Sequence, residues 1–529
     1  MKTRTNASIS IKESTFPLKD RFSFLWLLIG LILLVFSNGR WMVPLADWIA
    51  PAFLLRFLRT QRVGIGLLAG YLVNAIAFYF QWAPAFKDAG EMFGLYTAAF
   101  GLLVFLPYAV DRLLRPFVRG FTASLVFPLA WVTTEYLLHL ILPLGTFFSL
   151  AYTQHMNLPL LQVMSITGLW GVTFLVAWFS SVTNYVWENG FQVGKAWKGA
   201  AAYGSVMLTV LFFGGLRLAL FPPSGQTVQV SVLTSNIEAN IIPDDTSDLH
   251  ARLVAGTLTE TDRQEMTQTM EQVNNDLLER TQVQAWAGSK IITWSEYNAS
   301  VFEDDEQAFL DRCRQLARDE QIYLVFPLLT IQPDPNLRPV PNQLVENKSV
   351  MITPEGEIAY EYVKANLLIG WEMEYAIPGP GQILTIDSPY GRLSSVICLD
   401  MDFPNFMRQA GQQGVDIMLS GAVDGSPATG GNPYHSIMAS YRAIEEGFSL
   451  ARGGDAARDL AVDYQGHILG RSDFFTTEDH TVIAQLPIEG TRTLYSALGD
   501  FFPWLCMLCL AGFAITPLIR RLRRKYQAI

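Results

Sequence analysis

Eight long apolar runs constrain this chain more than any other feature of its sequence. They lie near 22–38, 42–58, 63–83, 92–110, 121–143, 159–187, 199–221 and 498–519. Crossing a bilayer core takes about 20 apolar residues in a helix, because only a helix or a closed barrel satisfies its own backbone there. Each run is therefore expected to be a membrane span, although Asp47 interrupts the second. The first is followed by Asn38-Gly39-Arg40 and not by a small-x-small cleavage site, so it reads as a span and not as a signal peptide. Basic residues in short loops orient such spans toward the cytoplasm. Lys2, Arg4, Lys12, Lys19 and Arg21 precede the first run, and Arg56, Arg59 and Arg62 lie at or beside the second loop. Arg112, Arg115 and Arg119 occupy the fourth loop, Lys195 and Lys198 the sixth, and Arg520, Arg521, Arg523, Arg524 and Lys525 the tail. The intervening loops carry only Arg40, only Lys87, and no basic residue at all. Seven spans then put the N- and C-termini in the cytoplasm and residues 222–497 outside it.

The charge distribution agrees with a division between membrane and water. Half of the residues are hydrophobic and 16% are charged, against about 25% charged in a soluble domain. Eight acidic residues precede Gln226, whereas residues 226–495 hold 39 acidic and 17 basic residues, a net charge of −22. An acidic domain of this kind is a poor nucleic-acid binder, since phosphate contacts need Lys and Arg. The expected organisation is a transmembrane bundle over 1–221, a water-exposed domain over 226–495, a last membrane helix over 498–519 and a basic cytoplasmic tail over 520–529. The four cysteines, Cys313, Cys398, Cys506 and Cys509, make no disulfide framework. Cys506 and Cys509 fall in the last apolar run and read as membrane-facing thiols. With no phosphate loop and no metal-ligand cluster, neither a cofactor nor a metal is expected. His155 and His435 stand isolated and suit core or hydrogen-bonding roles.

Past Pro222-Pro223 the pattern alternates. Strands are expected at 228–233, 291–294, 323–327, 350–352, 357–363, 393–397, 415–419 and 482–486, and helices near 260–285, 305–319 and 436–446. Strands alternating with helices indicate a layered α/β domain. Three residues close strands in it: Glu296 after I-I-T-W, Lys364 after Y-E-Y-V, and Cys398 after L-S-S-V-I. Strand ends are where α/β folds tend to present reactive groups. A thiol attacks as thiolate and needs a proton acceptor and a nearby cation. Glu296 suits the first task and Lys364 the second, with the backbone N–H of Leu399 as a further donor to an oxyanion. On chemistry alone the three also fit a buried thiol, a surface carboxylate and a solvated strand end.

The motifs W-S-E (294–296), Y-E-Y-V-K (360–364) and I-C-L-D (397–400) resemble the Glu, Lys and Cys motifs of the nitrilase, or carbon–nitrogen hydrolase, superfamily. Over nearly its whole length the chain resembles the apolipoprotein N-acyltransferase family, in which such a domain lies between seven N-terminal spans and one C-terminal span. The segment L-P-L-L-Q-V-M-S-I-T-G-L-W-G-V-T-F-L-V (158–176), Glu372 eight residues past Lys364, and H-S-I-M-A-S-Y-R-A-I-E-E-G (435–447) carry that likeness further. The resemblance implies a nitrilase-like αββα sandwich facing the periplasm of a multi-pass protein of the bacterial inner membrane. It implies that Cys398 takes an acyl chain from phospholipid as a thioester and passes it to the N-terminal amine of a lipid-modified lipoprotein cysteine. Glu296 would then be base and acid, Lys364 the charge stabiliser, and Glu372 and Asp400 supporting carboxylates. Trp371, Met373, Tyr375 and Ile377, just past the Lys strand, would form an apolar lid for acyl chains, and ordinary packing explains them equally. Ser295 replaces the family's Pro, Asp400 its Glu two residues past the Cys, and Asn366-Leu367-Leu368-Ile369 its His-Leu-Val-Pro. Residues 421–431 (G-A-V-D-G-S-P-A-T-G-G) replace its Asn-Asp-Trp-Phe-Gly run, with Asp424 as a remaining carboxylate. A membrane-tethered amidase or nitrilase that gives the acyl group to water, an acyltransferase with another amine acceptor, and an inactive binding protein are the competing readings.

Overall fold

The computed structural model of the chain describes residues 20–83, 90, 92–223, 225–237, 243, 247–425 and 433–527. Five helices in it are long and apolar enough to cross a membrane: Val63–Trp82, Met92–Phe117, Gly120–Ile141, Leu169–Glu188 and Ala196–Leu220. They expose large apolar side chains such as Leu68, Leu95, Leu208 and Phe212. Such exposure is costly in water and neutral against lipid. The runs near 22–38 and 498–519 give the shorter apolar helices Ser23–Val35 and Phe501–Ile515. The run near 42–58 folds as Pro44–Thr60, whose buried face carries charge. Arg59 there donates from Nε and Nη2 to Asp111 at 3.0 and 2.8 Å. The expected single span over 159–187 is corrected: two one-turn helices, Leu158–Leu161 and Met164–Thr167, precede Leu169–Glu188. Gly168, with a φ of +64°, makes the break. The basic residues at 2–19, Lys87 and the loop residues 426–431 lie outside the described residues. Cys509 is exposed on the last helix but Cys506 is buried, so one of the two expected membrane-facing thiols points inward.

The chain divides into two compact units, Met1–Thr134 with Thr173–Val206 and Trp504–Ile529, and Glu135–Val172 with Met207–Pro503. The second contains two β-sheets. The first sheet is built from β1 (Thr227–Leu233), β2 (Ile291–Trp294), β3 (Ala299–Phe302), β4 (Tyr323–Ile331), β5 (Val345–Ile352), β6 (Ile358–Val363) and β13 (Thr481–Pro487). Its order is β13-β1-β2-β4-β5-β6, with β3 also on β4. The second sheet comprises β7 (Thr385–Ser388), β8 (Gly391–Ile397), β9 (Ile417–Val423), β10 (Ser449–Asp455), β11 (Arg458–Val462) and β12 (Ile468–Asp473), in the order β12-β11-β10-β9-β8-β7. Val230, Val232, Ile291, Val325 and Met351 from the first sheet share one buried cluster with Leu393, Ile417, Leu419 and Ala451 from the second. The sheets therefore pack face to face.

Helices close both outer faces. Glu260–Trp286, started by a Thr259–Asp262 capping box, buries Met266, Met270, Val273 and Leu277 at helical spacing. It covers the first sheet with Glu303–Glu320, which buries Phe309, Leu310, Cys313 and Ala317. Pro404–Gln413 and Pro433–Glu446 cover the second sheet. The result is the αββα sandwich that the family resemblance implied. Five of its strands, β3, β7, β10, β11 and β12, were not expected: β10 reads S-L-A-R-G-G-D, with neither alternation nor β-branched residues.

Residues 145–154 belong to the same unit and dock on this sandwich. Tyr441 and Tyr434, on the helix Pro433–Glu446, donate from their hydroxyls to the carbonyls of Ala151 (2.8 Å) and Ser149 (3.3 Å). Thr146 donates from both N and Oγ1 to the carbonyl of Asp402, each at 3.0 Å. Gly145 is required beside it, since a Cβ there would meet that carbonyl oxygen at 2.3 Å and its φ is +55°.

Candidate active site

The sheet opens where the acid of the motif sits. β2 and β3 both run parallel to β4, but β2 pairs only as far as Thr293–Val325 and β3 begins at Ala299–Leu328. Phe326 and Pro327 therefore face a gap on that side. A proline fits the interior of a strand where no N–H is needed. The four residues Ser295–Asn298 loop out at the gap, with Tyr297 at a φ of +60°, and Glu296 points inward from them, 1% exposed. Ser295, which stands where the family pattern has Pro, uses its N–H to extend the ladder to Leu233 O at 3.0 Å. The opposing sheet approaches closely here. A Cβ on Gly421 would lie 2.5 Å from Pro327 Cγ, 2.7 Å from Trp294 O and 2.9 Å from Glu296 N.

Lys364 continues β6, its N–H bonded to Asn347 O at 2.9 Å. Its buried ammonium lies between two carboxylates, 2.8 Å from Glu296 Oε1 and 2.7 Å from Glu372 Oε1. The carboxylates differ in their other partners. Glu296 accepts from Asn347 Nδ2 at 2.7 Å and from Val423 N at 3.1 Å. Glu372 accepts from Leu368 N at 2.7 Å and from the Tyr297 hydroxyl in a short contact. Burial and the neighbouring Glu372 push the Glu296 carboxyl above the usual range against the pull of Lys364. For Glu372 burial is outweighed by Lys364 and the Leu368 N–H, which hold its carboxyl low. Burial opposes the Lys364 ammonium, but the two carboxylates prevail and keep it protonated well above the ordinary lysine range.

Cys398 ends β8 at a φ of +48° and opens a 3-10 turn, Cys398–Asp402. Its Sγ lies 3.8 Å from the carbonyl of Val423. Burial, then Glu296, raises its pKa well above the usual thiol value, with Lys364 acting in the opposite direction. The resting group is thus a thiol within electrostatic reach of Glu296. Leu399, whose N–H was expected to face an oxyanion, follows in the turn and is buried. Asp400 is also buried. It accepts from Ile397 N (3.1 Å), Tyr362 OH (2.8 Å), and Asn366 N and Nδ2 (2.9 Å each). Two departures from the family pattern, Asp400 and Asn366, are therefore bonded to one another and tie the Cys turn to the loop after Lys364.

The expected lid residues separate. Trp371 packs edge-on to Tyr297 with centroids 6.4 Å apart and lies 5.7 Å from Tyr375, which in turn meets His250 at 5.4 Å. Ile377 is half-buried, its N–H on Val345 O at 3.0 Å. Met373 is exposed, as are the neighbouring Leu368 and Ile369. A second group of buried side chains lies within electrostatic reach of Cys398, of which sequence reasoning named Asp424 and His435 but not Asp402 or Arg452. His435 Nδ1 is 2.6 Å from Asp424 Oδ1 and Nε2 is 3.1 Å from Asp402 Oδ1. Arg452 Nη2 is 2.6 Å from Asp424 Oδ1 and Nη1 donates to Ser436 Oγ at 2.8 Å. His435 is far from isolated, and the one sequence signal for Arg452 is a lone charge among small residues. Among the described residues no group of His, Cys, Asp and Glu is arranged to hold a metal ion.

Residues 251–495 match the carbon-nitrogen hydrolase family model, and residues 28–182 match that of the apolipoprotein N-acyltransferase N-terminal domain. The apolipoprotein N-acyltransferase of Geobacter metallireducens is 25% identical over 417 residues, 75% of this chain and 74% of that protein. The Rickettsia prowazekii protein of that name is 24% identical, covering 72% of this chain and 73% of its own. Apolipoprotein N-acyltransferase 2 of Treponema pallidum is 22% identical, with 89% and 94% covered. An amidase from Nesterenkonia sp., seen in a crystal structure, has 18% identity and a TM-score of 0.37, covering 50% of this chain and 92% of the amidase.

Proposed function

The chain belongs to the apolipoprotein N-acyltransferase family, two family models together matching residues 28–182 and 251–495, and from that premise we propose that it N-acylates lipoproteins through a thioester on Cys398. The carrying observation is the pairing of Glu296 and Glu372 across one buried ammonium, Lys364, beside a buried thiol. Glu296 takes the Cys398 proton as sulfur attacks the ester carbonyl of a phospholipid acyl chain. The Lys364 ammonium faces the charge that grows on the carbonyl oxygen, where a preorganised donor lowers the barrier most. The Leu399 N–H is assigned to the same oxygen. Collapse breaks the ester bond, and the lysophospholipid leaves with the proton from Glu296. The α-amine of a diacylglyceryl-modified N-terminal cysteine then attacks the thioester. Glu296 takes the amine proton and returns it to sulfur, leaving an amide and a free thiol.

Glu372 and Asp400 act as supporting carboxylates, the first keeping Lys364 charged, the second holding the Cys turn to Asn366. The exposed Leu368, Ile369 and Met373 make an apolar edge suited to acyl chains, with Trp371, Tyr375 and Ile377 behind it. We place the protein in the bacterial inner membrane with eight spans, both termini in the cytoplasm and the sandwich in the periplasm. Purified protein given phospholipid with a labelled acyl chain is expected to form an adduct released by hydroxylamine. Labelling of Cys398→Ser equal to that of the unaltered protein sinks the assignment. Expression in cells depleted of their own N-acyltransferase separates acceptors: restored lipoprotein N-acylation supports the reading, and an adduct without restoration favours water or another amine.

A further inference from the structure

The buried group around His435 joins the two chain segments that hold the reacting atoms, and nothing in the proposed reaction uses it. Asp402 ends the turn that Cys398 opens. Asp424 follows Val423, and Val423 touches both reacting partners: its N–H meets Glu296 Oε2 at 3.1 Å and its carbonyl faces Cys398 Sγ at 3.8 Å. Between Asp402 and Asp424 lies one imidazole ring, 3.1 and 2.6 Å from their oxygens. The contacts therefore form a closed circuit, from sulfur through the turn to Asp402, across His435 to Asp424, and through Val423 back to the sulfur and its base. Other elements face the ring as well. β10 contributes Arg452, whose Nη2 is 3.0 Å from Nδ1, and the helix contributes Ser436, bonded to Arg452. Asp459 acts on Asp424 electrostatically.

We propose that His435 is a positioning residue, whose bridge between Asp402 and Asp424 sets the distance of the Cys398 sulfur from Val423 and hence from Glu296. The assignment rests on the reading of Cys398 as nucleophile. Carboxylate oxygens 2.6 and 3.1 Å from its two nitrogens favour the charged form of the ring. Asp402 and Asp424 raise the pKa of His435 to about 9 against the effect of burial. Two carboxylates, one imidazolium and one guanidinium make a neutral set. Removing the imidazolium leaves an uncompensated anion within electrostatic reach of the sulfur, since Asp424 already opposes Cys398 ionisation. The charged groups that act on Cys398 itself include Glu296, Lys364, Asp424 and Glu372, and Arg452 interacts with it as well.

The test uses the full-length protein in detergent or nanodiscs, with two readouts. One is the pH profile of iodoacetamide alkylation at Cys398, quantified by mass spectrometry of the peptide that contains it. The other is the single-turnover rate of adduct formation with labelled phospholipid. In His435→Phe the alkylation profile is expected to move to higher pH and adduct formation to slow by roughly tenfold to a hundredfold, the range that a misplaced reacting group costs. His435→Gln keeps a donor for one carboxylate and should fall between the two. It also carries the test if His435→Phe does not fold, which thermal unfolding reports. Variants that unfold like the unaltered protein yet keep its alkylation profile overturn the proposal, even if adduct formation falls. If the unaltered protein forms no adduct with phospholipid while the alkylation profiles shift as stated, the positioning role stands and the acyl-transfer reading fails.

Discussion

Glu296 and Glu372 share the Lys364 ammonium but not their surroundings. Each accepts from the ammonium, a backbone N–H and one further donor, the Tyr297 hydroxyl for Glu372 and the Asn347 amide for Glu296; burial with the neighbouring carboxylate outweighs these donors at Glu296 and not at Glu372. Environments that push two carboxyls apart in this way separate a proton shuttle from a fixed anion. A rate prediction follows with a definite sign. Glu296 accepts a proton only when ionised, so adduct formation should rise with pH through a limb lying above the ordinary glutamate value of 4.5. Lys364, held protonated well above the ordinary lysine range, should cause no fall near neutral pH. Single-turnover labelling across acidic to neutral pH checks this, and a limb at or below 4.5 contradicts it. At this scale the three motif residues were legible as candidates because each ends an expected strand and stands in a motif that resembles the family's. Asp402 and Arg452 were not, because a charged residue in a buried strand or turn has no periodic signature and its partners come from distant segments.

Between β2 and β3 the ladder is interrupted for the length of one tight excursion, and the opposing strand β9 fills the space with Gly421. The element boundaries here explain what sequence could and could not give. Pro327 marks the end of a strand by the usual rule, and β4 was expected to stop there; it continues to Ile331 because the proline faces the gap. β10 stayed hidden for a related reason. Gly453 has no room for a Cβ, which would meet Val232 Cγ1 at 2.7 Å and Ser295 Oγ at 2.9 Å, so close sheet contact replaces the apolar side chains that betray a strand. Gly421→Ala is expected to destabilise the protein by about 1–3 kcal/mol through overpacking and to slow adduct formation by moving Glu296. Thermal unfolding with single-turnover labelling measures both, and a variant equal to the unaltered protein in each removes the close approach as a constraint. Gly421 thus matters by what it lacks, which no motif records.

At the scale of the whole molecule the informative signals were the coarse ones. Apolar length and the shift in charge past Gln226 set the long apolar helices apart from the acidic α/β sandwich. The packing of 145–154 on that domain had no counterpart in composition, because its bonds are to backbone carbonyls and use Gly, Thr and Tyr. The proposed topology makes its own prediction: an alkaline phosphatase fusion near residue 300 should be active, and activity confined to a cytoplasmic reporter at that site reverses the orientation. The Gly145–Thr146 contact with the Asp402 carbonyl carries a further consequence. Residues 226–495 hold every group of the proposed chemistry but not the peptide that caps the turn on which the nucleophile sits. The sandwich that would carry this chemistry is therefore not a cassette. A fragment cut at the apparent boundary would leave its reactive loop with two hydrogen bonds fewer and one face open. Any transplant onto another membrane anchor would have to carry a ten-residue piece from a remote stretch of sequence along with it.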